Sequence, residues 1–247
     1  MKIIISPAKK MKRETDSLEV RNLPAFLEKT KYLMDYLKSL TYEEAKTLWK
    51  CNDSIAQLNY ERLKAMDLQR NLTPALLAYE GIQYQYMAPS VFEDTHWDYI
   101  EEHLYILSGF YGMVKPFDGI VPYRLEMQTR VVLEDYKNLY DFWGSHIYEK
   151  MKGETDCIVN LASKEYSKCI EAYLSDEVNF ITCIFGEYKN GKVIEKGTQV
   201  KMARGEMVRY MAENNIKDLS QLIKFDRLGY HYTNKFSNEK KLVFIKE

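Results

Sequence analysis

Three short runs do most to limit how this chain can fold: KIIIS at 2–6, LYILS at 104–108 and CIVNLAS at 157–163. Each is apolar without the alternation of a half-exposed strand, so each is expected to be a strand buried on both faces. A sheet hidden on both sides needs helices over it, and the segments between the runs supply them. All three runs also stop at a hydroxyl: Ser6, Ser108 and Ser163. If the strands are parallel neighbours, these serines face one crevice beyond the carboxyl ends, where α/β sheets bind ligands. A serine that only caps a turn or helix would end a strand in the same way.

The remaining elements follow from periodicity and caps. Residues 23–40 carry Phe26, Leu27, Leu33, Met34 and Leu37 at helical spacing. Thr41 and Glu44 have capping-box spacing and open a helix to about residue 50; Asn52 or Asp53 caps a third over 54–68. With Lys46, Lys50, Arg62 and Lys64 exposed, this pair has the outline of a helix–hairpin–helix. Thr73 and Pro74 are expected to start another helix, as N-cap and first helical residue. Helices are also expected over 95–103, 138–151, 164–174 and, strongly basic, about 202–214. Asn190–Gly191 should turn a hairpin between 178–188 and 192–198, and 228–233 should pair with 241–246. The stretch 10–22 is polar and carries no predicted element. No repeat or linker divides the chain. The expected fold is therefore mixed α/β, one compact domain over residues 1–247 with a mixed sheet surrounded by helices.

The candidate site begins in 107–127, LSGFYGMVKPFDGIVPYRLEM. Gly109, Gly112, Pro116 and Pro122 break regular structure around Lys115, Arg124 and Glu126, which suits a binding loop better than a core. In an extended segment Arg124 and Glu126 point the same way. The guanidinium could grip a phosphate or carboxylate, with Glu126 holding it, or the two could form a salt bridge that only pins the loop. Lys9 follows Ser6 closely. Lys201 and Arg204 lie one turn apart at the expected start of the basic helix, where amides and the helix dipole attract anions. A solvated helix end would look the same.

Charge is segregated although the net charge is only −1. Residues 1–13 hold Lys2, Lys9, Lys10, Lys12 and Arg13 with no acid, whereas 93–102 gather Glu93, Asp94, Asp98, Glu101 and Glu102. A near-neutral protein can thus hold a focused positive cleft. No apolar run approaches the roughly 20 residues that span a bilayer, and the N-terminus does not read as a signal peptide. Four scattered cysteines give no disulfide framework, which places the protein in a reducing cytoplasm. The histidines lack metal-ligand spacing, so neither a metal nor a cofactor is expected. No G-x-S-x-G, Walker or G-x-G-x-x-G pattern occurs, and a Ser6/Lys9 nucleophile has no specific spacing behind it.

At these residues the chain resembles the YaaA family, associated with the peroxide stress response. The matching segments are ISPAK at 5–9, the motif at 107–127, LYDFWG at 139–144, NLASKEY at 160–166 and KMARGEMVRY at 201–210. The resemblance implies a single α/β domain of unusual topology with a positively charged cleft and a helix–hairpin–helix-like element. It further implies binding of double-stranded or branched DNA, with protection during peroxide stress and lowered free intracellular iron. Carried over by position, its motifs fall on Ser6, Pro7 and Lys9; Ser108, Gly109, Tyr111, Gly112, Pro116 and Asp118; Pro122, Tyr123, Arg124 and Glu126; Asn160, Ser163, Glu165 and Tyr166; and Lys201, Arg204 and Gly205. The turn at 51–54 departs from the pattern, because it has no glycine. Glu80, before Gly81, would subtract charge from the cleft.

Two functions are open at this stage. A monomeric DNA-binding stress protein would neutralise backbone phosphates with Lys9, Lys10, Lys115, Arg124, Lys201 and Arg204, largely without regard to sequence. An enzyme acting on a small anionic substrate, nucleotide-like or a damaged base, would clamp it with Arg124 and Lys9. Glu126, Glu165 or Tyr166 would then move a proton. Ser6, Ser108 and Ser163 would line either site.

Overall fold

Ile3, Ile4 and Ile5 are completely buried, and the strand they form sits in the middle of the main sheet. The structure, a computed structural model, describes residues 1–13 and 18–246. Its main sheet contains β1 (Lys2–Ile5), β2 (Leu104–Ser108), β3 (Gly112–Val114), β4 (Cys157–Leu161), β5 (Asn179–Lys189), β6 (Lys192–Ile194), β7 (Tyr230–Tyr232) and β8 (Lys241–Lys246). The order is β7-β8-β5-β4-β1-β2-β3, with β6 antiparallel on the far part of β5. Strands β8, β5, β4, β1 and β2 run parallel; β7 and β3 close the edges antiparallel. A mostly parallel sheet wrapped by helices is the expected mixed α/β architecture, in a single compact domain.

The three buried runs are adjacent. Ile5 pairs with Leu161 on one side and Ile106 on the other, so β4, β1 and β2 end level with one another. Full burial on both faces explains why none of them alternates.

Local signals placed several helices correctly. Thr41 and Glu44 cap each other reciprocally at the head of α2 (Tyr42–Trp49), and Asn52 accepts the Ile55 amide at the head of α3 (Asp53–Lys64). Helix α1 (Leu27–Ser39) starts four residues later than expected, and α3 ends four earlier. Helices α2 and α3 pack together, but their turn uses Lys50 in the left-handed region rather than a glycine. Three of its four expected surface cations are engaged, Lys46 with Asp53, Arg62 with the Met11 carbonyl and Lys64 over the Tyr60 ring. Helix α4 (Ile82–Met87) is short, and α5 (Asp94–His103) leads directly into β2.

Three expectations are corrected. Thr73 is fully buried and pairs with Ile120 in a two-residue ladder, so it cannot cap a helix; Pro74 takes that place before the single turn Ala75–Ala78. The expected helix over 138–151 is two, α6 (Leu139–Trp143) and α7 (His146–Lys152). Gly144 between them has φ +49, and this left-handed step ends α6 where Trp143 is buried with its ring N–H donating to the Gly109 carbonyl. After α8 (Lys164–Glu171), the basic helix α9 runs Gly197–Glu213 and so begins well before 202. The expected 192–198 strand shrinks accordingly. In the polar stretch 10–22, Lys10 and Met11 pair with Glu80 and Tyr79, and residues 14–17 lie outside the described residues.

Candidate functional site

Beyond the carboxyl ends of β4 and β1 lies a cavity of about 420 Å³. Its wall takes Ser6, Lys9 and Lys10 from the loop after β1, and Ser163, Glu165 and Tyr166 from the start of α8. Arg124 and Glu126 come from the extended segment after the 107–120 turns, and Lys201 and Arg204 from α9. These residues are distant in sequence; the parallel pairing of β1 and β4 brings the first two groups together, and the loop and α9 close over them.

Ser6 and Ser163 tie the crevice together. The Ser6 hydroxyl accepts the Ser163 amide at 2.8 Å and lies 3.2 Å from the Ser163 hydroxyl. Tyr84 donates to the Ser6 carbonyl at 2.9 Å. Lys9 lies 2.6 Å from the Glu126 carboxylate, and Arg124 is 3.6 Å from the same group. The expected pair on one face is therefore real. It satisfies only part of the guanidinium, because Arg124 Nε is buried with no hydrogen-bond partner among the described residues. Arg204 repeats the pattern: its nearest carboxylate, Glu195, is 3.9 Å away, and its Nε is buried and unpartnered. Burial pushes the Arg204 pKa down, although a guanidinium stays charged in proteins.

Two expected site residues do not join the cavity. Ser108 is fully buried; its hydroxyl accepts the Phe110 and Tyr111 amides and shares a 2.6 Å bond with the Tyr123 hydroxyl, so it caps the turn instead. Lys115 sits at the other end of the sheet. Strand β3 runs back antiparallel to β2 and returns the chain to the amino ends of the strands. There Lys115 lies 3.4 Å from Glu154, beside Lys2 and Lys150 at 3.7 and 3.6 Å. The position of Lys201 and Arg204 is also corrected. Because α9 begins at Gly197, they occupy its second turn, where no free helix-terminal amides remain.

Beside Lys115, burial raises the Asp118 pKa to about 6, against the pull of the Lys115 amide and charge. A carboxyl with a raised folded-state pKa adds stability below the unfolded value, and that contribution disappears as pH climbs through about 6. Asp118→Asn cannot ionise and avoids this loss. It should be more stable than the parent by roughly 2 kcal/mol at pH 8 and no more stable at pH 4, in urea titrations at both values. Equal differences at the two pH values would contradict the assignment.

Several cavity groups gave no sequence signal. Tyr84 and Gln83 lie on α4, too short for a periodic pattern, whereas Tyr123, one of the motif positions named from the sequence, reaches the wall from the loop. Glu80 also lines the cavity and pairs with Lys10 at 3.2 Å, so it does offset charge there. Glu165 is the wall carboxylate held by an amide, accepting from Gln128 N at 3.2 Å. Burial, then the nearby Glu126, raises its pKa. Burial drives the Tyr166 pKa well above that of a free phenol. Two of the thiols, Cys169 and Cys183, are unsuited to reaction with peroxide, because burial pushes them up to about 12. Among the described residues no group of three His, Cys, Asp or Glu could hold a metal ion, and no helix is long and apolar enough to cross a membrane.

Comparison with known proteins adds the family context. The family model described as peroxide stress protein YaaA matches residues 1–236. A UPF0246 protein of Lachnoclostridium phytofermentans is 60% identical over 246 residues, covering 100% of this chain and 96% of the relative. A UPF0246 protein of Desulfitobacterium hafniense is 58% identical, with 100% and 98% covered. One from Pediococcus pentosaceus is 52% identical, again with 100% and 98% covered.

Proposed function

The chain belongs to the peroxide stress protein YaaA family, and from that premise we propose that it acts in peroxide stress by binding a small anionic ligand in the cavity beyond β4 and β1. The observation that carries this reading is the pair of buried, unpartnered guanidinium Nε atoms on Arg124 and Arg204. A buried donor without a partner costs about 1–3 kcal/mol, and more when it is charged. Both arginines line one cavity, so a ligand there would meet two guanidinium groups whose hydrogen bonding is incomplete. A planar guanidinium prefers a phosphate or carboxylate, which it can meet with two parallel hydrogen bonds. The cavity volume of about 420 Å³ falls in the small-ligand range of roughly 300–1,000 Å³.

Calorimetric titration with inorganic phosphate, pyrophosphate and nucleoside monophosphates tests the reading. Saturable binding to one site is expected for at least one of them. Absence of binding by all three classes removes it.

DNA binding is a second reading, favoured by the rim. Lys9, Lys10 and Lys201 are exposed around the mouth, with Arg124 and Arg204 deeper. If these five cations each neutralise one phosphate, duplex affinity should fall by roughly several hundred-fold between about 50 and 200 mM salt. Fluorescence anisotropy with a labelled duplex reads this directly; a fall of less than about tenfold excludes a phosphate-driven interaction.

A further inference from the structure

Three carboxylates line the cavity, and they are held differently. Glu80 is paired with Lys10, and Glu126 lies between Lys9 and Arg124. Glu165 faces the same space, yet its carboxylate accepts a backbone amide and forms no cation pair among the described residues. It stands in the first turn of α8, next to the Ser6–Ser163 contact. We infer that Glu165 is a general acid that protonates the leaving base in hydrolysis of the N-glycosidic bond of a nucleoside monophosphate. The inference rests on the anion-binding reading above and deepens it.

The geometry favours this chemistry over the alternatives. Arg124 and Arg204 supply an anchor for the phosphate. Tyr84, Tyr123 and Tyr166 line the same cavity and give it aromatic character suited to a planar base. Gln83 adds an amide of the kind that reads a base edge. A carboxyl group that burial makes reluctant to ionise, as it does Glu165, can deliver its proton to a nitrogen leaving group. The groups bearing on Glu165 are Glu126, which favours the proton, and Lys9 with the 127–128 amides, which oppose it; burial outweighs them. The Ser6 hydroxyl is held by the Ser163 amide and hydroxyl, and the nucleophile in the inferred step is water.

The step balances without a further reagent. The C–N bond breaks with its electron pair going to the base nitrogen, which takes the Glu165 proton. Water adds its oxygen to the anomeric carbon, and the surplus proton returns to the Glu165 carboxylate. Free base and sugar phosphate leave.

The test incubates the full chain with the ribo- and deoxyribonucleoside 5′-monophosphates and follows free base and free phosphate by chromatography, beside calorimetry with inorganic phosphate. Base release with activity that declines at high pH is expected. Glu165→Gln should lower turnover about 10²–10⁴-fold while phosphate affinity stays within about threefold of the parent, since Glu165 does not hold the anion. Phosphate binding without base release from any nucleotide, release of phosphate instead of base, or full turnover by Glu165→Gln each overturns this inference and leaves the anion-binding reading standing. Failure to bind any phosphate compound defeats both.

Discussion

Gly205→Ala is expected to destabilise the protein by roughly 3 kcal/mol or more, at the upper end of what overpacking costs. A Cβ at this position on α9 would lie 2.1 Å from the Gln83 carbonyl oxygen and 3.0 Å from the Met87 amide of α4. Both are backbone atoms of a packed helix, so a change of rotamer cannot make room. The helices must separate, and the buried contacts made by Ala203, Met207 and Val208 on α9 loosen with them. For a chain of this size the melting temperature should drop by about 6–12 °C. The damage should also reach the site, because Gln83, Tyr84 and Arg204 line the cavity from these same two helices. Gly197→Ala is the control. That Cβ would meet nothing within 4 Å, and the change should be neutral or slightly stabilising. Thermal and urea unfolding of the two variants give the comparison; similar melting temperatures would mean α9 and α4 are not so closely apposed.

The second large effect is on binding. Replacing both Arg124 and Arg204 with glutamine should lower affinity for the anionic ligand by about 10²–10⁴-fold, taking each charge-assisted hydrogen bond at roughly 1.5–3 kcal/mol. Stability should move the other way. Each arginine is buried with an unpartnered Nε, so the ligand-free double variant should be as stable as the parent or up to about 1 kcal/mol more so. That opposition separates a binding role from a structural one. If the two arginines serve only to pin the loop and helix, glutamine costs stability and leaves affinity unchanged. Calorimetry with inorganic phosphate and urea titration on one preparation decide between these outcomes.

The sequence was most legible where a signal is local. The buried runs at β1, β2 and β4 announced their burial; that they are parallel neighbours was left as a condition by the sequence and is met only in the structure. Thr41, Glu44 and Asn52 marked helix starts because a cap involves residues only three apart. Helix α9 begins earlier than its sequence suggests because Gly197 and Thr198, its first two residues, are poor helix formers. The helix is held instead by packing, from Val200 onward, against α4 and α5. Thr73 was misread because a cap and a buried strand residue leave the same trace when the partner, Ile120, is far along the chain.

The site divides along the same line. The residue types came from sequence: serines at strand ends, a loop carrying Arg124 and Glu126, cations at Lys9, Lys201 and Arg204. Membership of the cavity did not. Lys115 is close to Ser108 in the chain, yet one antiparallel strand carries it to the opposite end of the sheet, whereas Arg204 is far away in sequence and lies on the wall. The amino-acid order settles what each short segment becomes, since hydrogen bonding and burial there depend on near neighbours. Which charges confront one another, and which guanidinium nitrogen is left without a partner, depends on strand direction and helix packing, and these exist only once the whole chain has closed.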